Sequence, residues 1–205
     1  MYSVVTTPPE DEPLSLTTVK SQLNIDAAYA ADDLLLAIYI KAAREWMEKR
    51  LGQSLITQSR KQYMDKFPCQ NLEILYGPIQ LDEEGEPVEF AVKYFDSNDV
   101  EQTWASSNYW LSTTRNIPKL VPKYSWPSAG ERPDAIWVEY TAGYGDEDTD
   151  VPANIRDAML LIVSNMYTYR VPEIEGKIIS RIEMGVERLI ASDVKLQYTG
   201  HGTRY

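Results

Sequence analysis

The amino-acid sequence predicts an α+β protein: a small helical bundle built from the N- and C-terminal helices, with an antiparallel β insertion between the second and third main helices. Apolar residues recur at helical spacing before residue 54 and again after residue 150. Between these regions, short alternating apolar runs are separated by turn-forming residues, which is typical of antiparallel strands. Because helices that flank an insertion can bury their apolar faces against each other, we expect the two helical regions to pack together.

The same patterns divide the chain into four segments. Residues 1–13 are rich in proline and acidic residues, which predicts a flexible arm that a partner orders. We expect residues 14–54 and 150–192 to form the helical bundle, and residues 55–149 to form the β insertion. The polar residues 193–205 then form a C-terminal tail.

Composition limits the class of protein. The 205 residues are 43% hydrophobic and 25% charged, which is typical of one soluble globular unit. The 31 acidic and 20 basic residues give a net charge of -11, which disfavours a grip on nucleic-acid phosphates. Cys69 is the only cysteine, so an internal disulfide is excluded. The sequence has no secretion signal and no run of roughly 20 apolar residues, so we expect the cytoplasm or an assembly formed there, without a membrane.

The first two helices have clear start and stop signals. Ser15 is a good N-cap for a short helix that ends near Asn24. Asp32 and Asp33 favour the positive end of a second helix, and Gly52 allows a left-handed cap at its other end. The apolar stripe predicted for this second helix consists of Leu35, Ile38, Ala42 and Trp46.

Alternation of apolar and polar residues predicts the strands of the insertion. One strand is "PVEFAVKYF", and the turn formers "DSND" follow it. We expect "VEQTW" and "YWLST" to form a hairpin around "ASSN", and "AIWVEYTAG" to close the sheet.

A third helix follows the insertion. Pro152 is well placed in its first turn, and "RVP" ends it at Pro172. A last short helix is predicted over Gly185 to Ile190. The residues expected to form the bundle core are Leu35, Ile38, Trp46, Ile155, Met159, Ile162 and Met166.

The sequence offers little for catalysis. The single histidine, His201, lies between glycines in the tail, and the known phosphate-loop, dinucleotide, nucleophile-elbow and metal-helix motifs are absent from the sequence. Asp146, Asp148, Asp150 and Asp157 are spaced like ligands of a calcium loop, but Val151 stands where that loop needs glycine. We therefore interpret this stretch as a strand exit, an acidic turn and the start of a helix, with no metal and no cofactor.

Segments in order along the chain carry a resemblance to a known family. The most specific are "AREWMEKRLGQSL" and the "AGYG" that leads through "VP" into "IRDAML" and ends in "YTYR". The others are "LSLTTVKSQLNID", "MDKFP", "ILYGPIQ", "VKYFD", "YWLS" and "GVERLI". From about Leu14 to Ile190 the sequence resembles the head-to-tail connector, or adaptor, proteins of tailed bacteriophages.

The resemblance implies a structural protein without catalysis, located in the neck of a virion and assembled in the cytoplasm of the bacterial host. It implies a homo-oligomeric ring, a dodecamer in the family, that lies beneath the portal protein, joins a stopper or tail-completion protein, and lets DNA pass without specific binding. It also implies that the tail docks on the portal. The tail residues expected to make that contact are Tyr198, His201, Arg204 and Tyr205.

The aromatic content leaves an alternative of another class. Five tryptophans and 14 tyrosines are present, and aromatic rings on a sheet can stack on sugars. The rival interpretation is a carbohydrate- or receptor-binding β module on a helical base. Its candidate residues are Trp104, Trp110 and Trp126.

Overall fold

The computed structural model describes residues 1–113, 117–169 and 179–194. The strands within these residues are β1 (Tyr2–Thr7), β2 (Gln58–Met64), β3 (Leu72–Glu73), β4 (Phe90–Phe95), β5 (Glu101–Trp104), β6 (Tyr109–Ser112), β7 (Lys119–Pro122) and β8 (Ile136–Ala142). The helices are α1 (Leu16–Gln22), α2 (Asp33–Leu51), α3 (Ala153–Thr168) and α4 (Ile179–Ile190). The predicted α+β class is confirmed, with the β insertion between α2 and α3.

The predicted helix caps are present in α1 and α2. The hydroxyl of Ser15 accepts a hydrogen bond from the Thr18 amide at 3.2 Å, which satisfies one of the unpaired amides of the first turn. Gly52 ends α2 with φ of 66°, a left-handed conformation that glycine adopts without a Cβ clash. These caps fix where each helix begins or ends.

The buried face of α2 differs from the predicted one. Ile38 is 56% exposed and Trp46 is 43% exposed, while Leu35 is half-buried. The start of the helix, "LLLAIYI", is apolar on all sides, so helical spacing fits two stripes, and the stripe that α3 covers is displaced by one or two residues from the predicted one. The buried apolar residues of α2 are Leu36, Ile40, Ala43, Met47 and Leu51.

Helices α3 and α4 complete the bundle. Ile155 and Met159 are fully buried in its core, Ile162 is half-buried against it, and Met166 is half-buried. Helix α4 packs on α3 and begins at Ile179, before the predicted start at Gly185. The bundle core therefore joins elements from both ends of the chain.

The strands form two antiparallel sheets. The larger has five strands in the order β1-β2-β8-β4-β5, and the smaller has three in the order β3-β7-β6. The central strand of the larger sheet, β8, is buried along both faces except at Glu139. A second hydrophobic core lies between the sheets and includes Val92, Leu120 and Val138. Bundle and sheets thus each have their own core.

Two predictions within the insertion and the arm are wrong. Residues 1–13 are not a flexible arm throughout, because β1 pairs antiparallel with β2, with Tyr2 opposite Tyr63. The uncharged segment "YSVVTT", rich in β-branched residues, favours a strand before the prolines begin.

The predicted hairpin of β5 with β6 is also absent: β5 pairs with β4, whereas β6 pairs with β7 in the other sheet. The "ASSN" segment is a short 3-10 turn that carries the chain between sheets.

Candidate assembly surfaces

A buried polar network ties the bundle to the sheet and to the N-terminal segment. Arg44 of α2 bonds to Glu12 at 2.7 Å and to Glu48, one turn along, at 3.3 Å. The other oxygen of Glu48 accepts from the Leu55 amide at 3.0 Å and from the Gln58 side chain at 2.8 Å. Burial raises the pKa of Glu48, although these donors and Arg44 oppose the shift. The network therefore holds α2, β2 and residue 12 in one arrangement.

Arg60 forms a second buried contact on the same face of β2. Its guanidinium lies 3.8 Å from the centre of the Tyr76 ring and donates to the hydroxyls of Ser3 and Ser54, each at 3.3 Å. Burial lowers the pKa of Arg60, with partial compensation from Tyr140 and Glu48. Because each of these charged groups has a hydrogen-bond or ion-pair partner, we interpret them as structural. Sequence patterns missed them, since polar residues at alternate strand positions ordinarily face solvent.

The outer face of α2 carries an apolar stripe that the rest of the described chain leaves exposed. We call Leu34, Ile38 and Trp46 the α2 stripe; their exposed fractions are 77%, 56% and 43%. Their spacing by four and eight residues places them along one side of the helix over roughly 18 Å. The exposed charged residues Lys41, Glu45 and Lys49 lie between and beside them. An apolar row with a charged margin is typical of a protein interface.

A groove with many carboxylates lies on the bundle side of the N-terminal segment. Its first part has a volume of about 480 Å³, and its second part, of about 350 Å³, shares Glu10 and Asp11 with the first. The floor includes Leu14, Ile40 and Ile56. The acidic residues along both parts are Glu10, Asp11, Glu12, Asp146, Glu147 and Asp148. We call this the acidic groove.

The acidic turn beside this groove is a joint between sheet and bundle. Gly143 donates its amide to Pro78 and has φ of 146°, and a Cβ at this position would lie 2.5 Å from the Thr57 nitrogen. Asp148–Asp150 form a 3-10 turn in which the Asp150 carboxylate accepts from the Glu147 amide at 3.1 Å. This is the predicted succession of strand exit, acidic turn and helix start. Among the residues that the structure describes, no group of three or more metal-binding side chains could hold an ion.

The tryptophans of the rival interpretation have different environments. Trp104 is buried, and Trp126 stacks on Phe67 with ring centres 4.7 Å apart, so both belong to the core between the sheets. Only Trp110 of the three is exposed, at 58%, and Tyr124 is 93% exposed nearby in the small sheet region. The core thus accounts for two of the three candidate rings.

The predicted tail contacts, Tyr198, His201, Arg204 and Tyr205, lie outside the described residues. The structure follows the chain to Val194. Asp193 is held there by two contacts: the Gln53 side chain donates to its carbonyl at 2.5 Å, and Asn154 donates to its carboxylate at 2.6 Å. The described chain therefore ends beside the start of α3. No helix among the described residues is long and apolar enough to cross a membrane.

Comparison with known proteins places this arrangement in a family. Residues 13–121 match the family described as phage gp6-like head-tail connector protein. The chain belongs to this connector family. Its role is that of a structural head-tail connector, in agreement with the resemblance carried by the sequence segments. A search of the curated proteins finds no significant match.

Solved structures show the same fold. A chain from "Neck of empty GTA particle computed with C6 symmetry" aligns with a TM-score of 0.79 and 18% identity, and each chain is covered to 98%. A chain from "Virion of native gene transfer agent (GTA) particle" gives 0.78 and 18%, and one from "Neck of native GTA particle computed with C12 symmetry" gives 0.73 and 19%, both with 98% of each chain covered. The connector therefore shares its whole fold, bundle and sheets together, with these particle proteins.

Proposed function

We propose that this connector forms a ring in the neck of a phage-like virion, beneath the portal protein, and joins the DNA-filled head to a stopper or tail-completion protein. DNA passes through the ring without specific binding. The protein acts without catalysis or cofactor, and its C-terminal tail docks on the portal. The observation that supports this proposal most directly is the match to the connector family together with an exposed apolar stripe on the helical bundle.

The α2 stripe is the proposed contact between neighbouring copies. A contact between two different surfaces of identical chains closes into a ring when the rotation between copies divides a full turn. The structurally similar neck chains come from particles computed with C6 and C12 symmetry, which supports a ring of twelve copies here. Burial of Leu34, Ile38 and Trp46 against the next copy removes their apolar surface from water.

The charge of the chain supports passage of DNA. Because each chain has a net charge of -11, we expect a ring of such chains to repel the DNA phosphates and not to bind them strongly. The duplex can therefore slide through the ring. Nucleic-acid affinity at moderate salt is therefore expected to be negligible.

Electron microscopy of DNA-filled, tailless heads mixed with the purified connector tests the ring. We expect a new ring of density under the portal with the full chain, and none with a chain that ends at Ser192. The Ile38→Glu variant should also fail, because the charge enters the α2 stripe. Val88→Glu is the matched control: Val88 is 53% exposed and lies outside the bundle. Absence of density with the full chain would overturn the proposed ring beneath the portal, whereas a ring that forms with Ile38→Glu would exclude the α2 stripe as the contact.

The exposed Trp110 keeps the carbohydrate-binding alternative testable. Glycan-array binding that is lost in Trp110→Ala would favour the rival function. Portal binding that is unchanged in the same variant would favour the connector.

A further inference from the structure

The acidic groove holds carboxylates that lack cationic partners. Glu12 is paired with Arg44, but within the described part of the chain Glu10, Asp11 and Glu147 make no ion pair. The same holds for Asp146 and Asp148, and the residues lining the groove include no lysine or arginine. Like charges gathered along one groove repel each other, and a cationic occupant relieves that repulsion.

The C-terminal segment of this same chain has the complementary charge. Residues 195–205, "KLQYTGHGTRY", contain Lys195 and Arg204 and no acidic side chain, in a protein whose net charge is -11. The segment also carries Leu196, Tyr198 and Tyr205, which suit a groove whose floor is apolar. Its chemistry therefore matches both the rim and the floor.

The segment also starts close to the groove. Asp193 accepts a hydrogen bond from the side chain of Gln53, and the backbone between Gln53 and Ile56 in the groove floor spans at most about 11 Å. It is also held by Asn154, six residues after Asp148 at the groove rim. Eleven residues in extended form span up to about 36 Å, so the segment can enter the groove and follow both of its parts.

We propose that residues 195–205 bind in the acidic groove of their own chain before assembly and leave it when they dock on the portal. The groove thus shields the tail of the free connector, and docking exposes the groove at the same time as it engages the tail. The second half of the proposal rests on the proposed portal contact. The first half concerns the isolated chain alone, so it stands or fails separately.

Paramagnetic labelling of the isolated full chain tests the intramolecular contact. A Cys69→Ser background removes the only native thiol, which is exposed, and Thr203→Cys then carries a nitroxide in the tail. We expect the amide resonances of Glu10, Asp11 and Asp148 to be broadened to the same extent at all protein concentrations. The broadening should be lost in high salt, where the Debye length falls to about 3 Å at 1 M.

Charge-reversal variants provide the control. Glu10→Lys with Asp11→Lys should abolish the broadening at Asp148, whereas Glu83→Lys with Glu84→Lys, an exposed pair outside the groove with the same change of charge, should preserve it. Three results would overturn the proposal: no broadening at the groove, broadening that grows with protein concentration and so comes from another copy's tail, or an equal effect of both charge reversals. A portal that binds the connector without reducing the broadening would overturn the release step alone.

Discussion

Replacing Glu48 with alanine should destabilise the protein far more than replacing an exposed glutamate of the same helix. Glu48 is 5% exposed, and its carboxylate accepts from the Leu55 amide, the Gln58 side chain and Arg44. Alanine leaves two buried donors without an acceptor, at a cost of about 1–3 kcal/mol each. Arg44 keeps Glu12, so its charge stays paired. We therefore expect the free energy of unfolding to fall by about 2–6 kcal/mol, the combined cost of the two unpaired donors.

Urea unfolding at neutral pH measures this loss, with Glu45→Ala as the matched control. Glu45 is exposed on the same helix, so its replacement should change the free energy of unfolding by no more than about 0.5 kcal/mol. Equal effects of the two variants would refute the assigned role of the network.

The pH dependence of a third variant, Glu48→Gln, provides a separate check. Because burial raises the pKa of Glu48, the native state binds a proton there more readily than the unfolded state does. The contribution of this group is therefore most favourable below its ordinary pKa of 4.5 and is lost as the pH rises through the raised value. Wild-type stability relative to Glu48→Gln should consequently improve as the pH falls from neutral.

Three further outcomes are expected. Gly143→Ala should lower the melting temperature strongly because the added Cβ meets the backbone of Thr57. Gly185→Ala in α4 has open space around the added Cβ and should be neutral or stabilising by up to about 1 kcal/mol. Equal melting temperatures for the two variants would be inconsistent with the Gly143 contact. Burial raises the pKa of Tyr140 to about 12, so its contribution to stability should be complete below pH 10 and decrease as the pH rises through 12, a decrease that Tyr140→Phe removes in unfolding measurements at alkaline pH. Addition of EDTA should leave the melting temperature unchanged; a sharp fall would reveal a bound metal ion.

The elements that the sequence predicted well have local signals. Ser15, Gly52 and the proline before α3 each satisfy or terminate backbone hydrogen bonds within a few residues, so their effect can be inferred without the rest of the chain. The α+β class depends on apolar periodicity, which is also local.

The wrong predictions concern features that depend on contacts with residues far away in the sequence. Which side of α2 is buried depends on α3, more than a hundred residues away, and the apolar start of α2 fits both sides. The partner of β5 is β4, not β6, because the chain changes sheets at a short turn whose composition also suits a hairpin. Burial of Arg44, Glu48 and Arg60 depends on side chains that meet from separate elements, a pattern that a one-dimensional sequence does not reveal.

The pairing of β1 with β2 has a consequence for the order in which the protein folds. Ser3 lies opposite Gln62 and shares a hydrogen bond with Tyr140, so β1 can complete its contacts only after residues much later in the chain have been synthesised. Helices α1 and α2 wait still longer for α3, and contacts between distant residues slow folding. A chain interrupted before residue 153 lacks α3 and α4, so the buried face of α2, which includes Leu36 and Met47, loses a large part of the core that covers it. The bundle core is therefore completed only after α3 and α4 have been synthesised.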